Sequence, residues 1–409
     1  MHHSLVLDTS ITARLAEKAR AIGFDLCGVT RADSQNESDR LPEWLARGYA
    51  GEMHYMHDAR RRSVHDTMPE ARSVIVCAIN YNAPLPYSTT AFANCDSDAG
   101  VENLDTTLRA WISRYAWGND YHDVVKPKLD ELVAWLRSEL GENFYSRVYV
   151  DTGPVLERLA AHHAGLGWLA KNTCLINQHV GSWLFLGVIL TDLDLAPTLA
   201  DSDAAPRDLC GSCTRCIDAC PTDALVAPYL LDARRCIAYL TIELRGAIPE
   251  AFRPAIGSMV FGCDICQDVC PWNRKSPRTS LAEFLPRSIA KRSFEHMASD
   301  TACISQDCSL FAPALEWLIY LTEEEFRRVF RGSPVKRAKY RGLLRNACVA
   351  LGNSGIDPEN PAYAQIVHRL EELSVGEDSI LAEHATWTLT RSRTHQNEQA
   401  GGNEFHDLG

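Results

Sequence analysis

The alternation of apolar and polar positions divides the chain into an early part that mixes helices with strands and a late part that is mostly helical. Residues 10–22 put Ile11, Leu15, Ala16, Ala19 and Ile22 on one helical face, and Gly23 supplies a stop. Residues 24–30, FDLCGVT, then read as a short strand, and Ser73–Asn80 reads as a second one because it is apolar and rich in β-branched residues. The pattern predicts helix from Trp111 to Glu139 in two parts broken around Gly118, a strand at Arg147–Val150, a helix from Pro154 to Gly165 and a strand at Trp183–Leu190. Strands alternating with helices place this part in the α/β class. Asp192 to Leu209 lacks periodicity and reads as a linker. From roughly Ser293 the pattern is helical. Leu343–Asn353 and Leu381–Leu389 read as two copies of one HEAT-like helix, each burying an apolar stripe against its neighbour. The polar stretch from His395 is predicted to be disordered.

A length of 409 residues allows two or three domains, and 46% hydrophobic with 23% charged residues is ordinary for a globular protein. No apolar run reaches the ~18 residues that would span a bilayer. No basic segment followed by an apolar one opens the sequence, so a cytoplasmic location is expected. The net charge of −12 argues against general nucleic-acid binding over the whole surface. Against that background, eight basic residues between Arg327 and Arg345, with no acidic residue among them, form a local asymmetry. They read either as a phosphate-binding face for structured RNA or as a solvated helix face, and RNA is the favoured reading.

Cysteine is the most informative residue type. There are 15, and eight of them lie from Cys210 to Cys270. In a reducing compartment such density points to metal or redox work rather than disulfides. Cys210, Cys213, Cys216 and Cys220, followed by Pro221, form C-x2-C-x2-C-x3-C-P, the bacterial ferredoxin run. Zinc, which takes four ligands commonly supplied as two separated pairs, fits this run poorly. Cys263, Cys266 and Cys270 with Pro271 form a second run that is one cysteine short, and Cys236 is the spare that completes it. In such modules the fourth cysteine of a run ligates the other cluster. Cys210, Cys213, Cys216 and Cys270 are therefore expected to hold one [4Fe–4S] cluster, and Cys220, Cys236, Cys263 and Cys266 the other. Of the remaining cysteines, Cys27, Cys77 and Cys348 sit in apolar runs and read as core. Cys303 and Cys308 are too isolated to be expected as a metal site.

Two clusters alone conduct electrons and need a reaction site to serve. The candidate is Asp151, where a strand gives way to Thr152-Gly153-Pro154-Val155-Leu156-Glu157-Arg158. A partly desolvated carboxyl there would have a raised pKa and could donate a proton. Equally, Asp151 or Thr152 could simply cap a helix with Pro154 in its first turn. No GxGxxG or GxxxxGK[ST] loop supports a nucleotide site.

Several segments resemble the epoxyqueuosine reductase family: RYAWGNDYH (114–122), DTGPVLER (151–158), AGLGW (164–168) with Lys171, RCIAYLTIE (235–243), GCDIC (262–266) and Cys270-Pro271-Trp272-Asn273. The resemblance runs from about Gly23 to Arg391. It implies a cobalamin enzyme that reduces epoxyqueuosine to queuosine at the wobble position of the tRNA anticodon. It implies a nitroreductase-like cobalamin domain over 1–200, a ferredoxin-like module with two [4Fe–4S] clusters over 201–280, a HEAT-like tRNA-binding domain over 281–394 and a tail over 395–409. Carried over by motif, Asp151 is the proton donor, Asp120 and Arg158 line the site with it, and Glu243, Cys263 and Asp264 fall near the corrin. The implied partners are the tRNA anticodon stem-loop and an external low-potential electron donor, and a monomer is expected. Residues 293–313 look longer and richer in cysteine than the family's stretch. Two other readings stay open: a corrinoid reductase of a small molecule, like a reductive dehalogenase, and an electron carrier without catalysis.

Overall fold

The computed structural model describes residues 9–35, 40–91, 108–141, 143–199, 206–289 and 309–403. Cys95, Cys303, Cys308 and most of the atypical 293–313 stretch lie outside them. The chain forms two compact units, each assembled from three stretches: Met1–Leu85, Asn119–Ala233 and Ile265–Phe284 make the first, and Pro86–Gly118, Arg234–Asp264 and Leu285–Gly409 the second. No helix among the described residues is long and apolar enough to cross a membrane.

The first unit is built on a four-stranded sheet in the order Leu26–Arg31, Ser73–Asn80, Leu184–Thr191, Ser146–Tyr149. Every pairing is antiparallel, with Cys27 opposite Cys77, Val76 opposite Val188 and Val148 opposite Ile189. The alternation of helices and strands therefore does not mark parallel β-α-β units: the helices connect or cover antiparallel strands. All eight residues of Ser73–Asn80 are buried, which is why that segment is apolar throughout rather than alternating. Helix Thr9–Ile22 buries Ile11, Leu15 and Ala19 and ends at Gly23, whose φ of +106° suits glycine. Helix Tyr121–Leu140 crosses the sheet at Gly187, where a Cβ would come within 2.5 Å of a Leu129 methyl group. The start of the helix is set by Asp120, whose side chain accepts the His122 amide as N-cap.

The expected helix over Trp111–Glu139 is replaced at its start. Trp111–Ile112 is a short strand running parallel to Met259–Phe261 in the second unit, and Arg114–Ala116 is a single 3-10 turn. The cause is Asp264, whose buried carboxylate binds Trp111 Nε1 at 3.1 Å, Ser113 Oγ at 2.5 Å and the Arg114 amide at 2.8 Å, all from the non-helical segment. The expected helix from Pro154 is also shorter and spans Glu157–His163, preceded by Leu156.

The rest of the second unit is helical. Residues 343–352 of helix Lys339–Asn353 are buried on every side. It packs on helix Ser379–Asn403, with Gly352 against the Trp387 ring and Thr388 Oγ1 donating to the Cys348 carbonyl at 2.6 Å. Cys348 is core, as is Cys77, while Cys27 is half-buried. The expected disorder from His395 is corrected: helix continues to Asn403, and residues 404–409 lie outside the described ones.

Candidate functional site

Asp151 follows strand Ser146–Tyr149 and adopts φ +56°, a left-handed conformation that side-chain-bearing residues rarely occupy. Gly153 lies on the Tyr149 ring, where a Cβ would sit 2.4 Å from ring carbon, so the loop turns tightly over its own strand. Two bonds define the residue. Its carboxylate Oδ2 accepts the Tyr121 hydroxyl at 2.6 Å, and its backbone N–H donates to Glu157 Oε1 at 2.9 Å. The carboxylate is exposed, so the expected desolvation is not found. Nor does Asp151 or Thr152 cap the helix, because the helix starts at Glu157. The desolvated carboxyl is Glu157, which is partly buried. Burial, reinforced by the negative charge of Asp151, pushes it up to about 7.

Tyr121 is fixed by stacking: its ring lies 4.5 Å from Phe185 at 8° and 4.1 Å from His122. Asp120 is the N-cap of the same helix, accepting the His122 amide at 3.2 Å and bonding its Nδ1 at 2.6 Å. Burial lowers the His122 pKa, but the hydrogen bond and charge of Asp120, with Asp151 and Asp123, outweigh it and the net shift is upward. The structure thus joins Asp120 and Asp151 through the Tyr121–His122 pair. Arg158 is not in this group; its guanidinium binds the backbone carbonyl of Thr173. Tyr121, His122 and Glu157 lie inside the family-like segments, but sequence reasoning gave them no role. The one local signal is an Asp-Tyr-His sequence at a helix start.

Thiols gather in the same unit. Cys210 and Cys213 act electrostatically on Cys216, and Cys210 and Cys216 on Cys270, so three closely spaced thiols and the sequence-distant Cys270 share one neighbourhood. Lys171 Nζ braces the first run through the carbonyls of Gly211 at 2.6 Å and Cys213 at 3.1 Å. The buried indole N–H of Trp168 acts on Cys210, whose thiolate it favours. Burial pushes Cys270 up to about 11 and raises Cys210 and Cys216, so these thiols keep their protons until a metal displaces them. The three thiols of the first run with the distant Cys270, and an indole N–H that favours the Cys210 thiolate, fit an iron–sulfur cluster.

Two further site candidates lie in the second unit and are engaged by neighbouring residues. Asp264 has both oxygens committed to Trp111, Ser113 and Arg114, so it presents no carboxylate to a cofactor. Glu243 forms an ion pair with Arg337 at 2.9 Å. Of the basic run, Arg345 is a correction: it is fully buried and donates to the carbonyls of Leu240, Leu244 and Gly246, serving the fold rather than a partner. Lys336, Arg337, Lys339 and Arg341 are exposed.

Comparison with known proteins agrees with this layout. Residues 209–273 match the model of a 4Fe-4S double cluster binding domain, and residues 61–152, which take in Asp151, match that of "Epoxyqueuosine reductase QueG, DUF1730". The chain is 39% identical over 385 residues to an epoxyqueuosine reductase of Xanthomonas campestris pv. campestris, covering 94% of this chain and 96% of the relative. It is 37% identical to that of Escherichia coli K12, covering 94% and 91%. A solved structure of epoxyqueuosine reductase with a tRNA-Tyr epoxyqueuosine-modified stem loop superposes with a TM-score of 0.76 at 30% identity, covering 94% of this chain and 90% of that one. A Bacillus subtilis epoxyqueuosine reductase, solved with its catalytic aspartate loop swung out of the active site, superposes at 0.75 with 28% identity, covering 98% and 95%. With identity of this order sustained across nearly the whole chain, and the double-cluster run and the Asp151 segment each inside a matched region, this chain belongs to the epoxyqueuosine reductase family.

Proposed function

We propose that this protein reduces the epoxide of epoxyqueuosine in tRNA to the alkene of queuosine. The observation that carries the reading is the exposed Asp151 carboxylate, oriented by the Tyr121 hydroxyl at 2.6 Å, in a chain 39% identical to an epoxyqueuosine reductase over 94% of its length. Converting an epoxide to an alkene and water takes up two electrons and two protons. Asp151 in its acid form supplies one proton to the oxygen as the carbon–oxygen bond breaks, and solvent supplies the second, so that the oxygen leaves as water. Tyr121 holds the Asp151 side chain in place for that transfer, and the exposure of Asp151 lets solvent reload it.

Cys210, Cys213, Cys216 and Cys270 are assigned to one [4Fe–4S] cluster, and by the spacing rule Cys220, Cys236, Cys263 and Cys266 to the second. Such clusters, when bound, pass electrons singly from an external low-potential donor. Cobalamin is proposed from the family resemblance, and a reduced cobalt centre would supply the two-electron reductant. Of the residues the resemblance places near it, Asp264 already binds Ser113 and Arg114 and Glu243 pairs with Arg337.

The nitroreductase-like reading of the N-terminal part and the HEAT-like reading of the C-terminal helices belong to the same proposal. The exposed basic residues from Arg327 to Arg341 are proposed to meet the tRNA backbone, consistent with the stem loop bound by a solved relative. The test is incubation of the anaerobically reconstituted protein with reductant and epoxyqueuosine-containing tRNA, followed by nucleoside analysis. Queuosine is the expected product. Unchanged epoxyqueuosine, with a relative from the same family active in parallel, overturns the reading. The same assay with halogenated aromatics separates the small-molecule alternative.

A further inference from the structure

Glu157 has no role in the chemistry above, yet its side chain reaches back six residues to the backbone of Asp151. The bond is specific: the Asp151 N–H donates to Glu157 Oε1 at 2.9 Å. The loop it spans is tightly constrained at other points. Gly153 lies on the Tyr149 ring, Val155 is buried, and Asp151 occupies φ +56°. A non-glycine residue persists there only where neighbours over-determine its conformation. The restraints on Asp151 are two, the Tyr121 hydroxyl on its side chain and Glu157 on its amide. Glu157 is the one anchored in regular structure on the loop's far side, in the first turn of helix Glu157–His163.

We propose that Glu157 is a positioning residue that latches the Asp151 loop: by accepting the Asp151 amide it holds the left-handed conformation from which the carboxylate meets Tyr121. This rests on Asp151 being the proton donor of the proposed reaction, but the latch itself is a property of the loop and is measurable without turnover. Releasing it frees Asp151 to relax towards ordinary backbone angles and carries its carboxylate off the Tyr121 hydroxyl.

The test compares Glu157→Ala and Glu157→Gln in the reconstituted full-length protein, with iron content confirming that both variants fold. Glutamine keeps an acceptor oxygen and alanine does not. In hydrogen–deuterium exchange of the peptide covering residues 150–156, E157A is expected to exchange at least about tenfold faster at the Asp151 amide, and E157Q within about threefold of wild type. In turnover, E157A is expected to lower kcat by about 10- to 100-fold with KM within about twofold, because the donor is misplaced rather than the substrate released. E157Q is expected to recover most of that activity. Wild-type exchange in E157A, or equal behaviour of the alanine and glutamine variants, overturns the latch. If the wild-type protein itself fails to reduce epoxyqueuosine, the proposed function falls while the exchange comparison still decides the latch.

Discussion

At the residue scale, two carboxyl groups six positions apart divide the work by environment. Asp151 is exposed and bound to a hydroxyl, whereas Glu157 is partly buried and raised to about 7. Replacing Asp151 with Asn should leave iron content and absorbance unchanged while turnover drops by about 10²- to 10⁴-fold, as removal of a proton donor does; single-turnover conversion of the modified tRNA checks it. The Glu157 shift also has a stability consequence. Its folded pKa lies above the ordinary glutamate value, so the folded state is favoured while the group is protonated. That advantage fades as pH rises from about 4.5 to about 7. Glu157→Gln cannot ionise, so thermal unfolding should find it more stable than wild type by ~2–3 kcal/mol at pH 8 and little different at pH 4.5. Asp151 was legible in the sequence as a carboxylate at a strand end. Glu157 was not, because its partner is a backbone amide in a turn and no side-chain pattern encodes that bond.

At the element scale, helix Lys339–Asn353 shows how a run of like charges can mislead. Arg345 lies in the basic stretch by sequence but is buried, tying three carbonyls of residues 240–246, while the neighbouring Asn346 ties Thr241 and Val260. Arg345→Ala should destabilise the second unit by ~3 kcal/mol or more, since each stranded carbonyl costs ~1–3 kcal/mol. Denaturant unfolding measures this. Lys336→Ala and Lys339→Ala, at exposed positions, should leave stability nearly unchanged and weaken tRNA binding. Each should also make the slope of log affinity against log salt shallower by ~1 for every phosphate it no longer neutralises. His384 on the neighbouring helix accepts the Ile248 amide at 3.1 Å and donates to the Ile380 carbonyl at 2.7 Å. Burial lowers it to about 4, with the charges of Arg253 and Arg345 in the same direction. It is therefore neutral in the folded protein, and stability should decline by up to ~3 kcal/mol as pH falls from about 6.5 to about 4. Helix Thr9–Ile22 and strand Ser73–Asn80 were readable because their burial matches a simple period. Trp111–Ile112 was not, because its conformation is imposed by Asp264, about 150 residues away in sequence.

At the scale of the whole molecule, the resemblance implied domains laid end to end, and the two compact units of the fold are each drawn from three separate stretches. Sequence patterning reports local periodicity and cannot show which distant stretches share a core. The first unit needs its last stretch: Asn273 Oδ1 accepts the Ser182 amide at 2.8 Å, and Asn80 Nδ2 donates to the Pro277 carbonyl at 2.9 Å. A fragment ending at residue 200 should therefore be markedly less stable than the full chain and hold no iron, whereas the reconstituted full chain should bind about eight irons; iron assay and circular dichroism distinguish the two. The parallel pairing of Trp111–Ile112 with Met259–Phe261 has a further consequence. On the ribosome the first strand emerges about 150 residues before its partner, which at ~5–20 residues per second is a delay of roughly 7–30 s. Throughout that interval Trp111 and Ile112 lack their native strand partner. The nascent chain is exposed to aggregation during its own synthesis, so its yield in cells should depend on translation speed and chaperone supply more than the stability of the finished protein would suggest.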